Sequence, residues 1–299
     1  RAAHERGAAD RAVQALDDIG PGGTRAADAM RARILVEEGR DAEALALLKS
    51  KSAANGLSLR GSHLLIDSAL ATGDTQAALD ELPVLARSQS LTPDAQAALE
   101  ARVLAAAMSA APDAVRLNAL WSAASRAHRR RVDLVAAFAR RSATLGQTLA
   151  AMDEIESGQR RDWSDDLATV YGELGSAELP ARIQKAEGWL TIAPNSAPLL
   201  LTIGRLYAQQ SQWGKAEEAL ERGLGLAQSP QGWEWLGECR KGEGDLAGAT
   251  TCYANALHLA RGESTMPLGA RQLRGPLDTR PIAFEERSEH GVPRLPGAK

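Results

Sequence analysis

The chain has 299 residues, with 35 Lys and Arg against 38 Asp and Glu and a net charge of −3. That near balance excludes a global field able to recruit nucleic acid or an anionic membrane. Its 2 cysteines are too few for a disulfide framework and suit a reducing compartment.

The length exceeds what one compact core usually serves, so two domains or one elongated array fit it. An Ala- and Leu-rich composition with almost no β-branched runs favours helix throughout. No stretch approaches the roughly 20 apolar residues that span a bilayer, so a soluble piece is expected.

In chain order, Arg1 falls inside a helical pattern. We expect a natural start upstream, with room there for a signal or a membrane anchor. A first unit turns at Gly7 and continues through Ala12 and Leu16; the next two turn at Gly39 and Gly73. The segment Gly39-Arg40-Asp41-Ala42-Glu43-Ala44 aligns with Gly73-Asp74-Thr75-Gln76-Ala77-Ala78, a spacing of 73 − 39 = 34. This is the period of a tetratricopeptide helix pair.

Residues 92–192 keep the helical composition but lose the register. Helices are expected near 94–110, 113–128, 131–144, 147–157, 164–174 and 180–191, as degenerate hairpins separated by Gly- or Pro-marked turns. The register then returns: Ala216 to Ala249 and Gly204 to Gly237 are both 33 apart. Gly204 would let a neighbouring helix approach closely, Ile203 and Tyr207 share a face, Gln210-Ser211-Gln212 is the turn, and Pro230 ends the pair. After Ala260 the chain carries Pro267, Pro276, Pro281, Pro293 and Pro296 with little apolar periodicity. Such a tail cannot bury enough surface to offset its ordering entropy.

The expected fold is all-α: a tetratricopeptide-like right-handed solenoid of stacked antiparallel helix pairs with a disordered C-terminal tail. Its parts are N-terminal hairpins over 1–91, degenerate repeats over 92–192, C-terminal tetratricopeptide repeats over 193–261, and the Pro/Gly-rich tail over 262–299.

Two segments carry a family resemblance. Arg1-Ala2-Ala3-His4-Glu5-Arg6-Gly7 looks like the end of the N-terminal region of bacterial HemY-type proteins. Lys185-Ala186-Glu187-Gly188-Trp189-Leu190, with Ala193-Pro194 and Leu199 through Ala216, resembles their C-terminal repeats. The resemblance implies a bacterial inner-membrane protein whose two-span N-terminal hairpin carries a repeat domain on the cytoplasmic side. It also implies an association with late protohaem biosynthesis. The flavin-dependent protoporphyrinogen oxidase that shares the label needs a glycine fingerprint after a strand, and the glycines here sit in helical turns.

Counted back from each turn, the groove-facing residues are Arg33, Glu37, Arg60, His63 and Asp67 in the N-terminal part. Arg205, Gln209, Glu234, Glu238 and Lys241 follow in the C-terminal part. Such a lining suits an extended peptide or helix, although a solvated helix face looks the same in sequence. The places where carboxylate-gripping repeat domains carry Lys and Asn hold Leu201, Arg205, Gln231, Glu234 and Glu238, and the two carboxylates would repel that ligand. Trp189, Trp213 and Trp233 read as packing between hairpins. Trp235, two residues from Trp233, is expected to face elsewhere as an exposed contact residue.

The basic runs His128-Arg129-Arg130-Arg131, Arg140-Arg141 and Arg160-Arg161 fit ordinary surface charge better than lipid headgroups, because acidic residues surround them. His4, His63, His128, His258 and His290 form no i, i+3 or i, i+4 pair, so no metal site is expected, and haem ligation has no motif. Cys239 and Cys252 read as core fillers. Asp165-Asp166 and Glu285-Glu286 lack a burying environment, and no nucleophile elbow occurs.

No enzymatic role follows. The expected role is a membrane-tethered, protein-binding scaffold that organises late haem-biosynthesis enzymes. A haem or porphyrin carrier and a general envelope-assembly scaffold are the alternatives.

Overall fold

The computed structural model describes residues 25–269. Among them lie 14 α-helices, one 3₁₀ turn and no strand. The chain divides into two compact units, Arg1–Pro194 and Asn195–Lys299. The first holds α1 (Arg25–Glu37), α2 (Asp41–Asn55), α3 (Leu59–Thr72), α4 (Thr75–Arg87) and α5 (Pro93–Ser109). It continues with α6 (Ala114–Ala123), α7 (Val132–Thr144), α8 (Thr148–Arg161), α9 (Asp165–Glu173) and α10 (Leu179–Trp189). The second holds α11 (Ala197–Gln209), α12 (Trp213–Leu226), α13 (Pro230–Glu243) and α14 (Leu246–Ala260).

Local chemistry marks the helix ends. Ser58, Asp74, Thr92, Asp113, Ser164, Ser196, Ser229 and Asp245 each accept a hydrogen bond from a backbone N–H of the first turn they precede. Proline stands at an opening position of α5, α11 and α13, where its missing N–H would be unsatisfied anyway. Pro230 therefore begins α13 rather than merely ending the pair before it. Five of the turns inside hairpins pivot on a left-handed glycine, namely Gly39, Gly73, Gly146, Gly175 and Gly244. Ser211, at φ 58°, takes that place between α11 and α12.

In the first unit each odd-numbered helix packs on the next: α1 on α3, α3 on α5, α5 on α7 and α7 on α9. Hairpin partners and successive hairpins fill in the rest. This is tetratricopeptide-like pairing, in which one helix pair cannot bury its apolar face alone and stacking completes the core. Side-chain ties repeat at nearly the same interval: Asp67 with Arg102 at 35 residues, Trp121 with Glu154 at 33, and Arg140 with Glu173 at 33. Trp121 stacks on Phe138 at 4.5 Å. The fully buried Arg182 donates to the carbonyls of Tyr171, Gly175 and Ala177, closing the α9–α10 turn. Trp189 packs edge-on to Tyr171 at 4.8 Å.

In the second unit α11 packs on α12 and α13, and α13 on α14. A Cβ on Gly204 would stand 2.5 Å from Leu220 Cγ, and one on Gly237 would stand 2.6 Å from the Tyr253 ring. The missing methyl sets the helix separation in both hairpins. Ile203 and Tyr207 are both buried, as their shared face requires. Trp233 is buried, and the Trp213 ring lies against Gly242. Arg240 is buried among Glu217, Glu221 and Asp245.

Two sequence readings change here. The helix expected over 113–128 stops at Ala123, because Ser125 Oγ accepts the His128 N–H at 3.1 Å and the chain makes a 3₁₀ turn, His128–Arg130. Past α14, the buried Asn255 side chain grips both backbone groups of Met266, at 2.9 and 2.7 Å. The chain after Ala260 is thus attached to α14 at one point that composition does not reveal. The Gly7 turn, His4, His290, the Glu285-Glu286 pair and the tail from residue 270 lie outside the described residues.

Candidate functional site

The hairpin-turn residues supply a ruler. Six positions before the left-handed turn residue stand Arg33 (before Gly39), Asp67 (before Gly73), Arg205 (before Ser211) and Glu238 (before Gly244). The same offset from Gly146 and Gly175 selects Arg140 and Thr169. These two line a surface cavity of about 670 Å³ between α7 and α9. Its floor is Val132, Ala136 and Val170, and its walls are Arg131, Asp133, Arg140, Asp166 and Thr169.

The walls are held in place by pairing. Arg131 makes a two-point contact with Asp133, at 2.8 and 3.1 Å, and this raises the arginine and holds the Asp133 carboxyl below the usual carboxylate range. Arg140 donates to Glu173 at 2.7 Å across to α9. Beside it, Arg141 turns away to cap the end of α5 through the Ala111 carbonyl at 2.7 Å. Asp166 stands exposed in the first turn of α9. A small apolar floor between fixed charges of both signs can hold an extended backbone by shape and orient it by polarity. It offers no nucleophile with an adjacent base.

The residues singled out from sequence distribute as follows. Arg33 and Glu37 pair with each other at 2.6 Å on the exposed face of α1. Asp67 pairs with Arg102 of α5, while Arg60 is exposed and His63 half-buried on α3. In the second unit the Arg205 guanidinium lies 5.0 Å from the Trp235 ring centre, leaving that tryptophan half-buried. Glu238 accepts from Tyr253 Oη at 2.6 Å and lies 3.7 Å from Lys241. Burial, with Glu238 adding, pushes the Tyr253 hydroxyl up to about 12. Gln209 and Glu234 are exposed and join none of these contacts.

His128 leaves the basic surface altogether. Its ring is buried, with Nδ1 3.2 Å from Ser125 Oγ and Nε2 3.4 Å from the Ala97 carbonyl. A hydrogen-bonded imidazole packs where an arginine could not, so the exposed run shrinks to Arg129, Arg130 and Arg131. Cys239 and Cys252 are buried thiols. Burial pushes Cys239 up to about 12 and Cys252 up to about 11. Among the described residues no three His, Cys, Asp or Glu side chains converge on a common point that would take a metal ion. None of the described helices is long and apolar enough to cross a membrane.

Sequence reasoning missed the cavity because the turns at Gly146 and Gly175 are 29 residues apart, short of the 34-residue period. The signal that could have found it is the doublet Leu145-Gly146 and Leu174-Gly175, each closing a helix.

No protein-family model matches the sequence, and no curated protein is similar to it. Among solved structures the chain is similar to a thermophilic TPR protein of Thermus thermophilus. The two are 19% identical over 80% of this chain and 92% of that one, with a TM-score of 0.27. An overlap that loose carries no argument. The repeat assignment stands on the helix pairing of the chain itself.

Proposed function

We propose that the chain is a protein-binding repeat scaffold, with the α7–α9 cavity as its principal docking surface. The observation that carries this reading is the cavity's position. It lies between consecutive first helices, at the offset that also selects the polar groove residues of the other hairpins. The reading is one of binding rather than catalysis, since Arg131, Asp133 and Arg140 are spent on the Arg131–Asp133 and Arg140–Glu173 pairs and no nucleophile with an adjacent base lines the cavity. We further propose that its clients are enzymes of late haem synthesis and that the natural protein is membrane-tethered, so that colocalisation raises local concentration. The support for both is the resemblance of Lys185–Leu190 and of Arg1–Gly7 to HemY-type proteins.

A photo-crosslinking amino acid placed at Thr169 or Val132, with Val115 on the exposed face of α6 as control, tests the docking surface. Crosslinked polypeptides specific to the cavity positions are expected, porphyrin-handling enzymes among them. The same products from Val115, or none from the cavity, would overturn the docking surface. Specific products without porphyrin-handling enzymes would remove the haem assignment alone.

A further inference from the structure

We infer that the turn between α6 and α7 is a basic rim for the α7–α9 cavity and that it receives an acidic stretch of the partner polypeptide; this rests on the scaffold reading above. Arg126, Arg129 and Arg130 are exposed, and among the described residues their guanidinium groups have no ion-pair or hydrogen-bond partner. Many exposed arginines of the same unit are instead paired: Arg33 with Glu37, Arg40 with Glu43, Arg102 with Asp67 and Arg140 with Glu173. Three unpaired guanidiniums within five residues concentrate uncompensated positive charge at one turn. The next residue, Arg131, already belongs to the cavity wall. Consecutive Cα atoms are about 3.8 Å apart, so the Arg129 and Arg130 backbone lies within two residues of that wall.

The turn is built rather than loose. Buried His128 plugs it against α5, with Nε2 3.4 Å from the Ala97 carbonyl and 3.6 Å from Glu100. The N–H groups of Arg129, Arg130 and Arg131 donate to the carbonyls of Ser125, Ala127 and His128 at 3.0, 3.2 and 2.9 Å. The arginines therefore project from a fixed backbone, and binding loses only side-chain freedom. Their planar forks match carboxylates.

The far side of the same cavity has the opposite sign. A short turn joins α7 to α8 and another joins α8 to α9, so the α7 and α9 N-termini lie at one end. There Asp162, Asp165 and Asp166 are exposed. The Arg160 and Arg161 side chains just before them turn back toward Glu156 and Ser157, at 4.0 and 3.0 Å. A flat anionic surface such as a bilayer or a nucleic-acid backbone would meet these carboxylates as well as the arginines. A narrow polypeptide can set its acidic residues on the α6–α7 side alone and lay small apolar residues over Val132, Ala136 and Val170. The geometry thus points to a peptide with an acidic end.

The probe is a fluorescein-labelled peptide of about 12 residues, with glutamates at one end and alanines and valines at the other. It is followed by fluorescence anisotropy against a lysine counterpart. The acidic peptide is expected to bind at least about tenfold more tightly. The double variant Arg129→Glu, Arg130→Glu is expected to lose about tenfold. The control Arg222→Glu, Arg261→Glu, equal in net charge and placed in the second unit, is expected to change binding less than about twofold. Equal loss in both doubles, or no preference for the acidic peptide, overturns the inference. So does loss of binding to vesicles containing phosphatidylserine in the rim variant with peptide binding intact. Cavity-specific crosslinks from Thr169 that survive the rim variant sink the rim while leaving the scaffold reading in place. Absence of those crosslinks in the unaltered chain sinks both.

Discussion

Replacing Gly204 by alanine should destabilise the second unit even though alanine is the better helix former. Within a helix the exchange favours folding by about 1 kcal/mol. At Gly204, however, the new methyl would lie 2.5 Å from Leu220 Cγ, 2.8 Å from Leu220 Cδ2 and 3.0 Å from the Ala216 carbonyl oxygen. Carbon–carbon contact is comfortable at about 3.5–4.0 Å, so roughly 1 Å is missing. The nearest atom is a branch carbon of a fully buried leucine, and the carbonyl belongs to the backbone of α12. Neither can swing aside, so α11 and α12 must part. Overpacking of this kind costs about 1–3 kcal/mol. Set against the propensity gain, the net loss should be about 1 kcal/mol, within a range of about 0–2. Gly225, on α12, has nothing within 4 Å of a built Cβ, so its exchange should instead stabilise by about 0.5 kcal/mol. Urea unfolding followed by far-ultraviolet circular dichroism would show the two midpoints moving in opposite directions at matched slope. A Gly204→Ala midpoint that rises with that of Gly225→Ala would refute the close-approach argument.

Four further outcomes are expected. Arg240→Met leaves Glu217 and Asp245 buried without their cation, and should cost about 3–5 kcal/mol in the same unfolding experiment; an unmoved midpoint would count against the buried cluster. Because burial raises both thiols, Cys239 and Cys252 should resist Ellman's reagent at pH 8 until the chain is unfolded, and one fast native thiol would contradict their placement. Ser211→Gly relieves a left-handed serine and should stabilise by about 0.5–1 kcal/mol, whereas a loss would show that its side chain matters more than its φ.

Asp74 titrates below the usual aspartate range, chiefly through the Lys49 ammonium at 2.5 Å and then through the Ala77 N–H that it caps. A depressed folded value means its contribution is complete above the unfolded value and lost as pH falls through the folded one. Comparison with Asp74→Asn should show a difference below about 1 kcal/mol, since the pair is exposed. It should be constant above about pH 5, shrink on acidification and weaken in salt; a difference that widens in acid would reverse the sign of the argument.

Much of this architecture was legible from side-chain chemistry that acts within a few residues. The turn glycines at 39 and 73 and the small residues at 204, 216 and 237 act through local geometry and announced helix pairs before any contact was known. The Ser and Asp caps, with prolines beside several of them, carry the same kind of local signal. Even in 92–192 most helices fall within a few residues of where composition placed them, because caps such as Thr92, Asp113 and Ser164 act locally.

Tertiary structure decided the remainder. The 29-residue step from Gly146 to Gly175 hid Arg140 and Thr169 until packing brought α7 beside α9. His128 looks basic in a run of arginines and becomes a plug only because α5, distant in sequence, offers the Ala97 carbonyl and Glu100. Trp235 and Arg205 meet only because α13 packs on α11, and Arg240 is tolerable inside the protein only because three carboxylates surround it. In each case the deciding partner lies on another helix, and no local propensity encodes where that helix will come to rest.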